Sequence, residues 1–357
     1  MHEFFAGSGL VAYGLRGMFR PVWSNDISEK KAAVYYANFW NSHFELNDIR
    51  CISGCNLPCA HLSWASFPCQ DLSLAGSING IDAKRSGLVW EWLRILNEMP
   101  RKPYILCIEN VEGLLTAKKG EYFKRLHYEL LSCGYKSGAI VVDAIHFVPQ
   151  SRPRVFTIAV KAGMEIPQDL VGNKPNWLHN KAASDLGKAL PDWIWWKADE
   201  PSPRETTIKD VIDQGIPFDK DNALRLIPRH HLKRLEEYDE FIAAGYRRTR
   251  QGKQCLELRF DGAAGCLRTP EGGSSKQFLV VKQDGELHAR TLTAREAARL
   301  MGAPDDYILP EHNDGYRAMG DAVALPVAKF IGKVFLVRLA AAIYGTDKRR
   351  SHENISS

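Results

Sequence analysis

Between residues 3 and 160, short runs of β-forming residues alternate with segments of helical periodicity, and the runs break at glycine, proline or acidic positions. That alternation marks repeated β-α-β units, in which a parallel sheet is buried under helices on both faces. Glu3-Phe-Phe reads as the first strand, and Ala6-Gly-Ser-Gly-Leu as a turn into an apolar helix running through Leu15. A second strand lies around Pro21 to Asp26 and a third at Leu62 to Phe67. Leu88, Trp92, Leu93 and Leu96 recur at helical spacing and stop at Pro100, which marks a helix packed on the sheet. Tyr104 to Asn110 is the fourth strand, and Phe123, Leu126 and Leu130 mark another helix closed by Gly134. Val141-Val142 and Val155 to Val160 read as a hairpin or as neighbouring strands. The expected fold is α/β, a doubly wound, mostly parallel sheet.

After residue 161 the texture changes to prolines, the aromatic cluster Trp193-Ile-Trp-Trp196 and mixed charge, with basic residues gathered at 229–234 and 246–250. We therefore expect a first domain over 1–160 and a smaller, irregular second domain over 161–285. Regularity returns over 286–345. There Thr293 and Glu296 form a capping box, Gly302 and Pro304 stop that helix, and a last helix runs from Pro326 to Tyr344. Residues 346–357 are polar and read as a frayed tail. No run of eighteen apolar residues and no secretory start occur, and eight cysteines in a chain of 357 fit a reduced compartment, so the expected location is the cytoplasm with no membrane partner. A net charge of +5 is compatible with a polyanionic partner.

Phe5-Ala-Gly-Ser-Gly9 lies between strand and helix at the head of the sheet, where doubly wound folds bind ligands. Asp26 ends the second strand, in position to accept hydrogen bonds from a ribose diol, and Asp48 is placed to bind an adenine amine. With no Gly-x-Gly-x-x-Gly fingerprint for a pyrophosphate, these acids together with the glycine turn favour a nucleoside cofactor such as S-adenosyl-L-methionine; each acid taken alone reads more readily as a helix cap or a solvated charge. Cys69 follows Pro68 at a strand end and opens a loop of small and polar residues reaching Arg85, as an accessible nucleophile would, whereas Cys107 inside an apolar strand reads as inert. Glu109 ends the adjoining strand, where a buried, protonated carboxyl would donate to a ring nitrogen. Arg152 and Arg154 in Gln150-Ser-Arg-Pro-Arg154 point to the same edge; a surface salt bridge is the alternative for each.

The ordered set Phe5-Ala-Gly-Ser-Gly, Ser66-Phe-Pro-Cys-Gln, Glu109-Asn-Val, Gln150-Ser-Arg-Pro-Arg, the stretch from Arg290 to Asp305, and Met319-Gly-Asp-Ala-Val resembles the DNA cytosine-5 methyltransferases across nearly the whole chain. That resemblance implies a Rossmann-like, S-adenosylmethionine-dependent catalytic domain, with 161–285 as the target recognition domain and 286–345 returning to complete the cofactor site. It implies that Cys69 adds to C6 of a flipped cytosine, that Glu109 binds N3, that Arg154 holds the base carbonyl region, and that Arg152 and Gln70 support the site. The cofactor would touch Phe5, Ala6, Gly7, Ser8, Gly9, Asp26, Ile27, Asp48, Ile49, Pro68, Leu88, Asp321, Ala322 and Val323. Double-stranded DNA would touch Ser73, Arg85, Gln150, Arg247, Arg248, Arg250, Arg268, Thr269 and Lys276, with the loop from Gln70 to Arg85 closing over the base. The expected enzyme is a monomer without a metal, with a cognate restriction endonuclease as a candidate partner, in the bacterial, archaeal or phage-encoded class associated with the nucleoid.

Two departures stand out. The family usually has asparagine where Asp321 stands, an acid that would weaken or alter contacts to the cofactor's amino-acid end. Members also carry more residues ahead of the first strand, so the chain is expected to be trimmed or to begin unusually early. Cys51, Cys55 and Cys59 with His61 invite a metal reading, but their spacing misses both the zinc pattern and that of radical iron–sulfur enzymes. The RNA-methylating branch carries a second proline before the cysteine and a Cys-Phe-Thr signature; here Phe67 precedes Pro68 and no Cys-Phe-Thr occurs, which favours DNA. A catalytically impaired DNA-binding protein is the alternative that Asp321 leaves open.

Overall fold

The structure, a computed structural model, describes residues 1–39, 43–68, 87–218, 222–269 and 276–344. Seven strands form the large sheet: β1 (His2–Phe4), β2 (Trp23–Asp26), β3 (Phe44–Leu46), β4 (Leu62–Ala65), β5 (Ile105–Asn110), β6 (Tyr135–Asp143) and β7 (Pro153–Lys161). Their spatial order is β3-β2-β1-β4-β5-β7-β6. Pairing is parallel from β3 to β5, and β7 is antiparallel to both β5 and β6. The expected doubly wound, mostly parallel sheet is present, and Val141 lies directly opposite Val155. β3 is an addition: Phe44-Glu-Leu is a three-residue edge strand, too short to display alternation in sequence.

Both faces are covered, which is why the central strands read as continuous apolar runs. On one face Phe4, Leu106 and Ile108 pack with Val89, Trp92, Leu93 and Leu96 of the helix Leu88–Glu98 and with Phe123, Leu126 and Leu130 of the helix Glu121–Ser132. On the other, Trp64, Ile105, Phe156 and Ile158 meet Val327, Ile331, Phe335 and Leu339 of the C-terminal helix, which is continuous to 344 through a π-turn at Gly332–Leu336. Each fully buried side chain of this size contributes about 1.5–3 kcal/mol.

The stretch 161–285 divides between two layers. Its first part joins the large sheet: Trp196 is fully buried, and its indole N–H donates to the carbonyls of Gly138 and Ile158. Its later part supplies β10 (Phe241–Arg250), β11 (Lys253–Leu258) and β12 (Gln277–Gln283), which with β13 (Glu286–Thr291) make an antiparallel sheet in the order β11-β10-β12-β13. The short strands β8 (Val171–Gly172) and β9 (Trp195–Trp196) pair antiparallel with each other as a separate two-stranded ladder. The capping box of Thr293 and Glu296 is present, and Glu296 also forms a buried ion pair with Arg290 at 2.7 Å, tying β13 to the following helix.

Glu3 in β1 is fully buried, with Oε1 accepting from the Ala12 N–H at 3.3 Å and Oε2 unpartnered. Burial pushes its pKa up to about 8, partly opposed by the Ala12 hydrogen bond. The unfolded chain releases this proton near the ordinary glutamate value of 4.5, so the folded state binds more protons between these limits and stability falls as pH rises through them. Glu3→Gln removes that dependence. The wild type is expected to lose up to about 1.4 kcal/mol per pH unit relative to the variant between pH 6 and 8, read from denaturant midpoints. Parallel pH profiles would show that Glu3 does not titrate there.

Candidate active site

The strand order reverses between β1 and β4, and a crevice opens where neighbouring connections run to opposite faces. The turn after β1 and the ends of β2, β4 and β5 meet at the carboxyl edge around that point. The backbone leaves β1 through Phe5 at φ 58°, an unusual conformation for an aromatic residue that costs about 1–2 kcal/mol. Gly9 then starts the helix Leu10–Gly14 at φ 86°, and a Cβ there would lie 2.6 Å from the Phe39 ring and 2.8 Å from that of Tyr35, so only glycine fits. Asp26 fastens this turn to β2: its Oδ2 accepts from the Gly7 N–H and its Oδ1 from the Ser28 N–H, each at 2.9 Å. Ala6 N–H donates to Asn25 O, while the carbonyl and hydroxyl of Ser8 reach Tyr307 and Ala318 of the C-terminal segment.

Beside Asp26 stands Ile27, 67% exposed. An uncovered branched apolar side chain next to a carboxylate, above a glycine turn, fits the face and sugar of a nucleoside. Asp48 caps the turn Ile49–Cys51, and its carboxylate grips Arg50, whose side chain holds it below the usual carboxylate range; Ile49 is buried. Leu88 begins its helix half-buried.

β4 runs toward Pro68, and the Phe67 carbonyl accepts from Asn110 Nδ2 at 3.1 Å, binding the end of β4 to the end of β5. Cys69 follows, and it lies outside the described residues, as do Gln70, Ser73 and Arg85. Glu109, buried at the end of β5, sits against Arg154 Nε at 3.2 Å. Burial raises the pKa of its carboxyl, and Arg154, Arg152 and the Ser66 hydroxyl oppose that rise without reversing it. Ser66 is itself oriented, since Trp64 Nε1 donates to its oxygen at 3.0 Å.

Arg152 and Gln150 leave the β6–β7 connection pointing inward. Arg152 is fully buried: Nη1 donates to Leu267 O at 2.8 Å, and Nη2 to Gly320 O and Ala322 O, each at 2.8 Å. Gln150, expected on DNA, is fully buried instead, with its amide nitrogen on Leu300 O and its amide oxygen on Leu267 N–H, so no part of the side chain reaches the surface. These two residues staple three distant segments together. Gly320 packs so closely on this seam that a Cβ would lie 2.7 Å from the Arg268 carbonyl carbon. Asp321 takes Lys31 Nζ at 2.8 Å and the Thr269 hydroxyl; Ala322 is half-buried and Val323 buried.

The basic residues of the second sheet divide by the pleat. Arg248 and Arg250 share a face with Glu257 and both pair with it, at 3.1 and 2.7 Å, while Arg247 lies on the opposite face over the Phe278 ring. Arg268 is exposed, and Lys276 approaches the Tyr316 ring. Cys51, Cys55 and Cys59 are exposed, and among the described residues no three potential ligands gather around a metal position.

Two residues that the sequence did not single out, Lys31 and Cys266, belong to this neighbourhood. Burial raises the Cys266 thiol, yet Arg152, whose Nη1 is 3.2 Å from its sulfur, and Arg154 bring it below the ordinary value. No local signal marks either of the two, because each acquires its partner through folding.

The model of the family described as C-5 cytosine-specific DNA methylase matches residues 1–336. The Type II methyltransferase M.Bsp6I of Bacillus sp. (strain RFL6) is 28% identical over 342 residues, covering 92% of this chain and 96% of that protein. M.NgoPII of Neisseria gonorrhoeae is 27% identical over 355 residues, covering 97% and 95%. In fold the chain is similar to the Entamoeba histolytica methyltransferase EhMeth (TM-score 0.60, 17% identity, 97% of each chain) and to the S. pombe Dnmt2 methyltransferase (TM-score 0.56, 18% identity, 93% and 97%). No helix among the described residues is long and apolar enough to cross a membrane. With strand order, site geometry and a match over residues 1–336 in agreement, the chain belongs to the C-5 cytosine-specific DNA methylase family.

Proposed function

We propose that this DNA cytosine-5-methyltransferase methylates C5 of a cytosine swung out of duplex DNA, with Cys69 as nucleophile and S-adenosyl-L-methionine as cofactor. The observation that carries the reading is the clamp at the crevice: Glu109 buried at the end of β5, braced by Arg154 at 3.2 Å, beside the β4 end that leads into Cys69. C6 of cytosine is hidden in a stacked duplex, so the base must leave the helix, at an unstacking cost of a few kcal/mol.

Protonated Glu109 donates to N3 of the ring, which draws electrons from C6 and opens it to the Cys69 thiolate. Sulfur adds at C6, and C5 becomes nucleophilic. Arg154 holds Glu109 in place and would hold the base carbonyl region. Phe5 to Gly9, Asp26 and Ile27 would hold the adenosine, and S-adenosyl-L-methionine supplies the electrophilic methyl group when bound. Once C5 carries the methyl group, its proton leaves to solvent water, the C5–C6 double bond re-forms, and the C6–S bond breaks to return the Cys69 thiolate. Arg248, Arg250, Arg268 and Lys276 are the cations we assign to phosphates, and we assign base reading to the antiparallel sheet and its loops. By analogy with its Type II relatives, the enzyme would act as the modification partner of a restriction endonuclease, as a monomer.

Expression in a host lacking cytosine methylation, followed by bisulfite sequencing, tests the reading. One short sequence context should become modified, and a genome left wholly unmodified would overturn it. Glu109→Gln should slow methyl transfer by about 10²–10⁴-fold, since proton donation of this kind contributes about that much. Because burial raises the Glu109 pKa, wild-type activity should decline on the alkaline side as the carboxyl ionises, and the variant should lack that limb. A variant with the same alkaline decline would assign it to another group.

A further inference from the structure

Asp321 stands where the resemblance expects a neutral asparagine, and the structure answers that extra charge from the far side of the crevice. Lys31, in the helix Glu29–Asn38 that follows Asp26, places Nζ 2.8 Å from Asp321 Oδ2. The lysine stem crosses the glycine turn, its Cδ lying 4.0 Å from where a Cβ on Gly7 would be. Thr269, on the segment leading from the antiparallel sheet, donates its hydroxyl to the other carboxylate oxygen. The pair thus spans the opening between the β2 edge and the C-terminal segment, directly above the turn assigned to the cofactor.

Its chemistry is specific. Asp26 also faces Lys31, but both Asp26 oxygens already accept backbone N–H groups of the turn, whereas Asp321 has only side-chain partners. The Lys31 and Asp321 side chains are 29% and 43% exposed, and burial already disfavours the charged form of each, so each can exchange its charged partner for another that reaches it from solvent. An ammonium beside a carboxylate is the electrostatic complement of a zwitterion, in which carboxylate and ammonium also lie side by side.

Resting on the cofactor reading above, we infer that Lys31 and Asp321 form a charge pair that opens to receive the zwitterionic amino-acid end of the cofactor, Lys31 taking its carboxylate and Asp321 its ammonium. An asparagine at 321 would need no such lysine. The pair makes recognition of that end ionic in this chain, and Thr269 connects it to the sheet assigned to DNA.

Calorimetric binding of two nucleosides tests this without any methyl transfer. S-adenosyl-L-homocysteine carries the zwitterion; 5′-methylthioadenosine has the same adenosine and sulfur without it. Wild-type protein should prefer the former. Lys31→Met and Asp321→Asn should each weaken S-adenosyl-L-homocysteine by roughly tenfold or more, as loss of a charge-assisted contact does, and leave 5′-methylthioadenosine within about twofold. The double variant discriminates further: its neutral pair relieves any unbalanced charge, so a purely structural role predicts recovered binding of both ligands, whereas the inference predicts that the preference for the zwitterion stays lost. Equal weakening of both ligands, unchanged binding of S-adenosyl-L-homocysteine, or recovery in the double variant would overturn it. A wild-type protein that binds both nucleosides equally well also overturns the inference while leaving the cofactor reading intact, and one that binds neither removes the cofactor reading itself.

Discussion

Cys69→Ala should abolish methyl transfer to duplex DNA, to below about 10⁻⁴ of the wild-type rate, because the variant has no atom to add to C6 and the remaining groups act only on a base so activated. Its physical basis lies in the backbone just ahead of residue 69. Asn110 holds the Phe67 carbonyl, so the chain enters Cys69 from a point fixed to the strand that carries Glu109. A carboxyl and a thiol delivered from adjacent strand ends can act on N3 and C6 of one pyrimidine ring, which two independent surface groups would rarely manage. S-adenosyl-L-homocysteine binding should survive the substitution, since the glycine turn and Asp26 are held by β1 and β2. Duplex DNA with 5-fluorocytosine at the target provides the complementary measurement: it should become covalently trapped on wild-type protein in the presence of the methyl donor and never on Cys69→Ala. Methyl transfer by the alanine variant at a rate near wild type would remove the covalent step.

Arg152→Met should be the most destabilising single change near the site, costing about 3–5 kcal/mol, because three buried carbonyls lose a charged donor at once. The side chain is fully buried, and its two terminal nitrogens satisfy the carbonyls of Leu267, Gly320 and Ala322. Methionine matches the length but donates nothing. Each stranded carbonyl then costs about 1–3 kcal/mol less whatever water recovers. Lysine should not rescue, because a single ammonium cannot reproduce a planar fork directed at three oxygens. The damage should also be directional. The three carbonyls belong to the segment before Arg268 and to the segment bearing Asp321, so S-adenosyl-L-homocysteine binding should fall together with the denaturant midpoint. A midpoint within about 0.5 kcal/mol of wild type would show that Arg152 is a spectator, since that is the range of neutral surface substitutions.

Features set by neighbours in the chain were open to direct reading. The helix Leu88–Glu98 follows from apolar spacing and a proline stop, the Thr293 to Glu296 capping box from two residues three apart, and the turn after β1 from its glycines. The candidate cluster was legible in outline, because strands that end in Phe4, Asp26, Ala65 and Asn110 must bring those ends to one edge once the sheet is parallel. The orientation of side chains beyond those ends was not legible. Gln150 and Arg152 follow β6 in a polar stretch that reads as surface, yet both turn inward because carbonyls from more than a hundred residues away converge there. Three arginines close in sequence looked like one basic patch, and the two-residue period of β10 set Arg247 against Phe278 and the other two against Glu257.

By itself, then, the amino-acid order determined the alternation of strand and helix, the parallel sheet that follows from it, and the family to which the ordered residues point. Those properties rest on local periodicity and on turn chemistry that a few neighbouring residues encode. Only the tertiary structure decided that Lys31 answers Asp321 and that Arg152 holds three separate carbonyls. Charge pairing and hydrogen-bond saturation depend on distance through space, and in a crossover fold residues 290 apart along the chain come within 3 Å only after the sheet has closed the path between them.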